Sequence, residues 1–178
     1  MLNEIDITRD VAQRFESAGI PYMLTGSMAM NFYAQPRMTR DVDFVVKIAA
    51  VDVPTVLQVF QNDYYISPEA VRSSVIHRSL FNAIHNESVI KVDCVIQKDS
   101  PYRRLEFERR RQVEVKSDLI WIVSKEDLIV SKLFWANDSN SELQQRDVKN
   151  LVATGCDYAY IDKWAAELGL SAIWERNK

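Results

Sequence analysis

Apolar and polar positions along the chain switch repeatedly between a helical and an extended period. Ile5, Val11, Ala12 and Phe15 fall on one helical stripe, and Gly19 with Pro21 just beyond predicts where that helix stops. Residues 22–24 read as a short buried strand, 28–34 as a helix that begins just after Gly26-Ser27, and 41–46 as a second strand. A helix over 53–60 carries Pro54 in its first turn, where a missing amide costs little, and 68–75 reads as another short helix. Strands at 79–84 and 88–96 are joined by His85-Asn86-Glu87. A charged stretch follows Pro101, then strand-like segments at 112–115 and 120–123. Ser124 caps the next helix, with Asp127 three residues on in place of the usual Glu. From there the pattern is helical over 128–136, 141–152 and 160–168, broken by Gly155 and Gly169. These elements predict an α+β core at 1–123, with a C-terminal helical segment at 124–178 packed on it as one compact unit.

Two strands carry charges that a strand does not need. Along 41–46, Val42, Phe44 and Val46 share a wholly apolar face, while Asp41, Asp43 and Val45 lie on the other. The segment "VIKVDCVI" repeats the arrangement, with Ile90, Val92, Cys94 and Ile96 on the buried face and Lys91 and Asp93 opposite. Aspartate is a poor strand residue, and adjacent carboxylates repel unless a cation lies between them. The ordinary reading of Asp41 and Asp43 is an exposed strand face paired with Arg37 and Arg40. If the two strands are neighbours, however, three carboxylates converge, and an oxygen-only cluster suits a hard cation such as Mg2+ or Mn2+. Gly26-Ser27 adds a close backbone approach and free amides for an anion. A phosphate site facing a metal site predicts phosphoryl or nucleotidyl transfer.

Composition narrows the setting without changing that picture. With 47% hydrophobic and 26% charged residues the chain is ordinary globular material, and at 178 residues it suffices for one well-cored domain. The net charge of −3 gives no global pull toward nucleic acid. The two cysteines, Cys94 and Cys156, have no paired spacing, which fits a reduced, cytoplasmic setting. No apolar stretch approaches a membrane span, and the amino terminus lacks a signal peptide's basic start.

Gly-Ser, a spacer, "DVD" and then "VDC" on a later strand resemble the signature of the DNA polymerase beta nucleotidyltransferase superfamily. "SKEDLIVSKLFWAND" and "QQRDVKNLVA" are similar to helical motifs of its small bacterial branch, which includes nucleotidyltransferase toxins of abortive-infection systems. The likeness spans roughly residues 21–152. It implies the nucleotidyltransferase fold, a mixed β-sheet flanked by helices, and a Mg-dependent enzyme that moves a nucleoside monophosphate from a triphosphate such as ATP to a hydroxyl acceptor, releasing pyrophosphate. Asp41, Asp43 and Asp93 would then be the catalytic and metal-holding residues, with two ions about 3.5–4 Å apart. The nucleotide-binding set would be Gly26, Ser27, Arg40, Lys132 and Asp147. Where the branch often reads Asp-x-x-Asp on the last helix, Asp147 is followed here by Asn150.

Several features have competing readings. A degenerate member of the same fold would bind a nucleotide or a protein partner without turnover, as in a toxin–antitoxin component. Six basic residues against three acidic ones in "PYRRLEFERRRQVEVK" offer RNA a docking run through Arg103, Arg104, Arg109, Arg110 and Arg111, although such runs are more often a solvated helix face. Trp164, Leu168 and Trp174 are either last-helix core or anchors for a partner. His77 and His85 have no ligand set around them and read as structural, and Cys94 as a buried inert thiol. Tyr33, Trp121 and Trp135 read as core aromatics, with Trp135 also placed to flank a base.

Overall fold

The computed structural model describes residues 2–178. A single seven-stranded mixed sheet organises the chain, and its strands are β1 (Tyr22–Thr25), β2 (Asp41–Val46), β3 (Tyr64–Ile66), β4 (Leu80–His85), β5 (Lys91–Ile96), β6 (Arg111–Val115) and β7 (Asp118–Ile122). Their spatial order is β3-β4-β5-β2-β1-β7-β6. The helices are α1 (Glu4–Ser17), α2 (Gly26–Met30), α3 (Val53–Phe60), α4 (Pro68–His77), α5 (Pro101–Glu108), α6 (Lys125–Ser139), α7 (Glu142–Val152), α8 (Tyr158–Glu167) and α9 (Ser171–Glu175). This is the α+β architecture expected from the sequence.

Strand alternation determines the two sheet faces. Tyr22 and Leu24 of β1, Phe44 and Val46 of β2, and Cys94 and Ile96 of β5 are all buried on one side. There Phe15 of α1 meets Tyr22, Phe44 and Phe60, with ring centroids 5.6–5.7 Å apart, so α1 and α3 close the core over that face. The opposite face carries Thr25, Asp41, Asp43, Val45, Lys91, Asp93 and Val95, all intermediate in burial. β2 and β5 run side by side in parallel, in a register that sets Asp41 beside Lys91 and Asp43 beside Asp93.

The differences from expectation have local causes. The helix after Gly26-Ser27 ends at Met30 and continues as turns through Ala34, with the amides of Phe32 and Tyr33 donating to Ala29 and Met30. The charged stretch after Pro101 folds as α5, started by Ser100, whose side chain accepts from the Arg103 amide. The strand at 64–66 is too short to show a period. Ser124 does cap α6, and its hydroxyl also donates to the Asp127 carboxylate at 2.6 Å. Asp127 is fully buried, because Arg109, Tyr102 and Tyr160 also donate to it. Among the described residues no helix is long and apolar enough to cross a membrane.

Candidate active site

β1 delivers the chain to the polar sheet face and then turns sharply. Thr25 pairs with Asp43, and Gly26 follows with φ at +65°, a left-handed conformation that glycine adopts freely. A Cβ at Gly26 would run into the Asp43 carboxylate. Glycine is therefore required twice here, by the turn and by the contact.

The three strand-borne aspartates do come to one surface, and Lys91 stands among them. Its Nζ donates to Asp93 Oδ2 at 2.9 Å and lies 3.6 Å from Asp41 Oδ2. Asn82 of β4, which pairs with Asp93 in the ladder, donates its side-chain amide to the other Asp93 oxygen. The hydrogen bond to Asp93 holds the Lys91 ammonium above its ordinary value. Asp43 has no such help. Burial first, and then the charges of Asp93 and Asp41, push its carboxyl up to about 6.

Among the described residues no three His, Cys, Asp or Glu side chains are gathered closely enough to cage a metal ion by themselves. Asp41 and Asp43 nonetheless fit a hard divalent cation that brings phosphate oxygens and waters as its other ligands. Both are oxygen donors, and burial, then the charges of Asp93 and Asp41, press Asp43 toward its neutral form.

A second charged cluster lies beside the first. Arg37, from the loop between α2 and β2, donates from Nε and Nη2 to the two oxygens of Asp147 on α7, at 3.0 and 2.9 Å. The same Nη2 donates to Ser27 Oγ. Lys132 of α6 donates to Asp147 Oδ2 at 2.8 Å and to Gln144 Oε1 at 3.2 Å. Asp147 is 2% exposed and Lys132 3%, so this is a buried ion cluster rather than a surface one. Burial pushes the Lys132 ammonium down from its usual value, against the opposing pull of Asp147. Burial alone would raise the Asp147 carboxyl, but the hydrogen bonds from Arg37 and Lys132 overcome it and leave it below the usual carboxylate range. Asn150, at the departure from the expected helical motif, instead donates to the Gln35 carbonyl and ties α7 to the same loop.

Between these clusters opens a cleft of about 170 Å³ lined by Gly26, Ser27, Asp43, Lys132, Trp135 and Gln144. It continues under α6 into a more apolar hollow of about 210 Å³, walled by Val45, Val95, Phe134 and Trp135. Gly26, Ser27, Asp43 and Lys132 thus meet at one opening, whereas Arg40 is exposed outside it.

Several sequence expectations need correction. The ordinary reading of the aspartates paired them with Arg37 and Arg40, but Arg37 pairs with Asp147, and Lys91 takes the place at Asp41. Trp135 is half-exposed on the cleft wall rather than in the core. The arginines offered as an RNA-docking run each have a partner within the chain, although Arg104, Arg109 and Arg111 remain exposed. Arg103 bonds Glu106 and Ser131, Arg104 pairs with Asp99, and Arg109 pairs with Asp127. Arg110 stacks between Phe107 and Trp121, and Arg111 on Tyr33. Trp164 and Trp174 are buried, and Trp174 donates to Asp162, so neither is a surface anchor. His85 is buried and bonds Ser88, and burial holds the Cys94 thiol far above its usual value, as inert groups should be.

Comparison with known proteins agrees with the geometry at the level of fold. No family model matches the sequence, and no curated protein matches it either. Among solved structures, a nucleotidyltransferase-like protein from Paracoccidioides brasiliensis superposes with a TM-score of 0.61 at 15% identity, over 84% of this chain and 74% of its own. The antibiotic-resistance factor ANT(2″)-Ia matches with a TM-score of 0.59 at 10% identity, over 97% of this chain and 91% of its own. A lincosamide antibiotic adenylyltransferase with lincomycin bound matches with a TM-score of 0.53 at 19% identity, over 78% of this chain and 90% of its own. The chain has the nucleotidyltransferase fold.

Proposed function

We propose that this chain, built on the nucleotidyltransferase fold, transfers a nucleoside monophosphate from a nucleoside triphosphate to a hydroxyl group of a small acceptor. The observation that carries the reading is the juxtaposition of Gly26-Ser27 with the Asp43 carboxylate across a contact too close for any side chain at Gly26. A structural aspartate seldom sits half-buried, flanked by two like charges and without a hydrogen-bond donor, as Asp43 does here.

In this reading Ser27 and the amides around it, with Lys132 behind them, hold the β- and γ-phosphates. Arg37 fixes the Ser27 hydroxyl in place. Asp41 and Asp43 hold Mg2+ or Mn2+, which when bound supplies charge neutralisation and polarises the α-phosphoryl group. Asp93 orients the acceptor hydroxyl and takes its proton as the new bond to the α-phosphorus forms. The bond from that phosphorus to the bridging oxygen breaks, and pyrophosphate leaves. Asn82 and Lys91 occupy one position on each Asp93 oxygen, and each oxygen keeps a second lone pair for the acceptor.

The modest, partly apolar cleft under α6 favours a small acceptor, as does the pairing of Arg103 and Arg109 with Glu106 and Asp127. Incubation with each of the four α-labelled triphosphates, magnesium and a small-molecule extract tests this. Label appearing on a small product, with pyrophosphate released, supports the proposal. Saturable nucleotide binding without any product would instead make the chain a silent binding module.

A further inference from the structure

Lys91 has a role that no alternation pattern assigns to it. It lies two residues before Asp93 on β5, so both side chains leave the same sheet face, and the parallel register places it next to Asp41. Its ammonium bonds one Asp93 oxygen at 2.9 Å and stands 3.6 Å from Asp41. Asn82 engages the remaining Asp93 oxygen. A cation entering between Asp41 and Asp93 would have to break these contacts and then face a like charge anchored to the same strand.

We infer that Lys91 is a resident substitute for a second metal ion, so that the nucleotide-loaded site holds one divalent ion, at Asp41 and Asp43, where two would otherwise bind. The inference rests on the nucleotidyl-transfer reading above and deepens it. An ammonium suits the acceptor side for two reasons. It supplies positive charge near the attacking oxygen without demanding ligand geometry, and its spare hydrogens help to hold that oxygen against Asp93. Asp41, the carboxylate it only approaches, keeps its other oxygen for the metal. The asymmetry of the cluster follows from this: Asp93 has its oxygens engaged on the protein, while Asp43 has neither, and the ion belongs with Asp43.

Counting bound ions tests this without measuring turnover. The whole protein is loaded with a non-hydrolysable triphosphate analogue and excess manganese, free manganese is read by its paramagnetic resonance signal, and bound nucleotide is measured alongside. One manganese per bound nucleotide is expected for the wild type and for Lys91→Arg, which keeps the charge. Two per nucleotide are expected for Lys91→Met, with Lys91→Gln as a second neutral variant and circular dichroism melting to confirm that each is folded. Two ions in the wild type would overturn the inference, as would a count of one in both neutral variants. Failure of the wild type to retain any nucleotide or manganese would instead defeat the nucleotidyl-transfer reading, and this inference with it.

Discussion

The two charged clusters that flank the cleft differ in how their charges are satisfied. Around Asp147 two cations serve one buried carboxylate, every partner lies within hydrogen-bond distance, and the carboxyl is held below its usual range. On the β2–β5 face three carboxylates share one ammonium, and Asp43 is pushed toward protonation. The first arrangement is complete in the free protein and stabilises it. The second is incomplete, and stays under repulsion until something positive arrives. The same residue type, on the same side of one sheet, is structural in one place and poised in the other because of what surrounds it.

Substitutions can break this contrast, and the largest expected effect is at Asp93. Asp93→Asn should lower the transfer rate by about 10²–10⁴-fold, the usual loss when a positioned base is removed. Nucleotide affinity should change by roughly tenfold or less, since one charge near the phosphates is lost. Single-turnover measurements beside equilibrium nucleotide binding separate the two, and an unchanged rate would remove Asp93 from the site. Next comes Asp147→Ala, which leaves Lys132 and Arg37 as unpaired charges in a largely buried setting. Such a loss costs about 3–5 kcal/mol, or a fall in Tm of roughly 6–20 °C at this chain length, read by calorimetry.

A finer test concerns the contact that joins the two regions. Gly26→Ala forces a side chain against Asp43 and strains a left-handed residue, and should cost about 2–4 kcal/mol in all. In the Asp43→Ala background the clash with the carboxylate is gone, and the backbone strain of about 1–2 kcal/mol remains with a 2.9 Å approach to the residual Cβ, so the cost should be smaller. Equal costs in the two backgrounds would mean that the close approach carries no energy. The smallest expected effect has the opposite sign. Because folding raises the Asp43 carboxyl from 3.8 to about 6, the free protein loses stability as pH climbs through that window. Asp43→Asn should therefore stabilise it by about 1–2 kcal/mol near pH 7.5, a figure reduced for partial exposure, and the gain should vanish below about pH 4. Melting curves across pH read this directly, and a destabilised variant at neutral pH would mark Asp43 as structural.

How much of this was written in the sequence depended on range. The alternation in "DVDFVV" and "VIKVDCVI" placed the aspartates and Lys91 on one side of their strands, because side-chain direction in a strand is local. The start of α6 was equally legible from Ser124 and Asp127, since capping is settled within one turn. Arg37 was not. Its partner lies 110 residues away on α7, and no local pattern distinguishes it from Arg40, which is exposed. Charge density in the arginine run likewise hid its fate. Glu106 and Asp127 were folded inward beneath it, and only tertiary packing reveals that Arg103 and Arg109 follow them. Trp135 kept two readings, core or cleft, because its helix is apolar on several sides and periodicity alone does not say which side faces the cleft.

The Arg37–Asp147 pairing also has a consequence for timing. Ser27 and Arg37 emerge early from the ribosome, whereas the carboxylate that holds Arg37 against Ser27 belongs to α7, far down the chain. Until that helix has been synthesised and docked, Arg37 has nothing to brace it and the hydroxyl it steadies is loose. A nascent chain carries the segments bearing Asp41, Asp43 and Asp93 well before it can set the Arg37–Ser27 contact proposed to grip phosphate. On the proposed function, competence would then arrive only once α7 has docked.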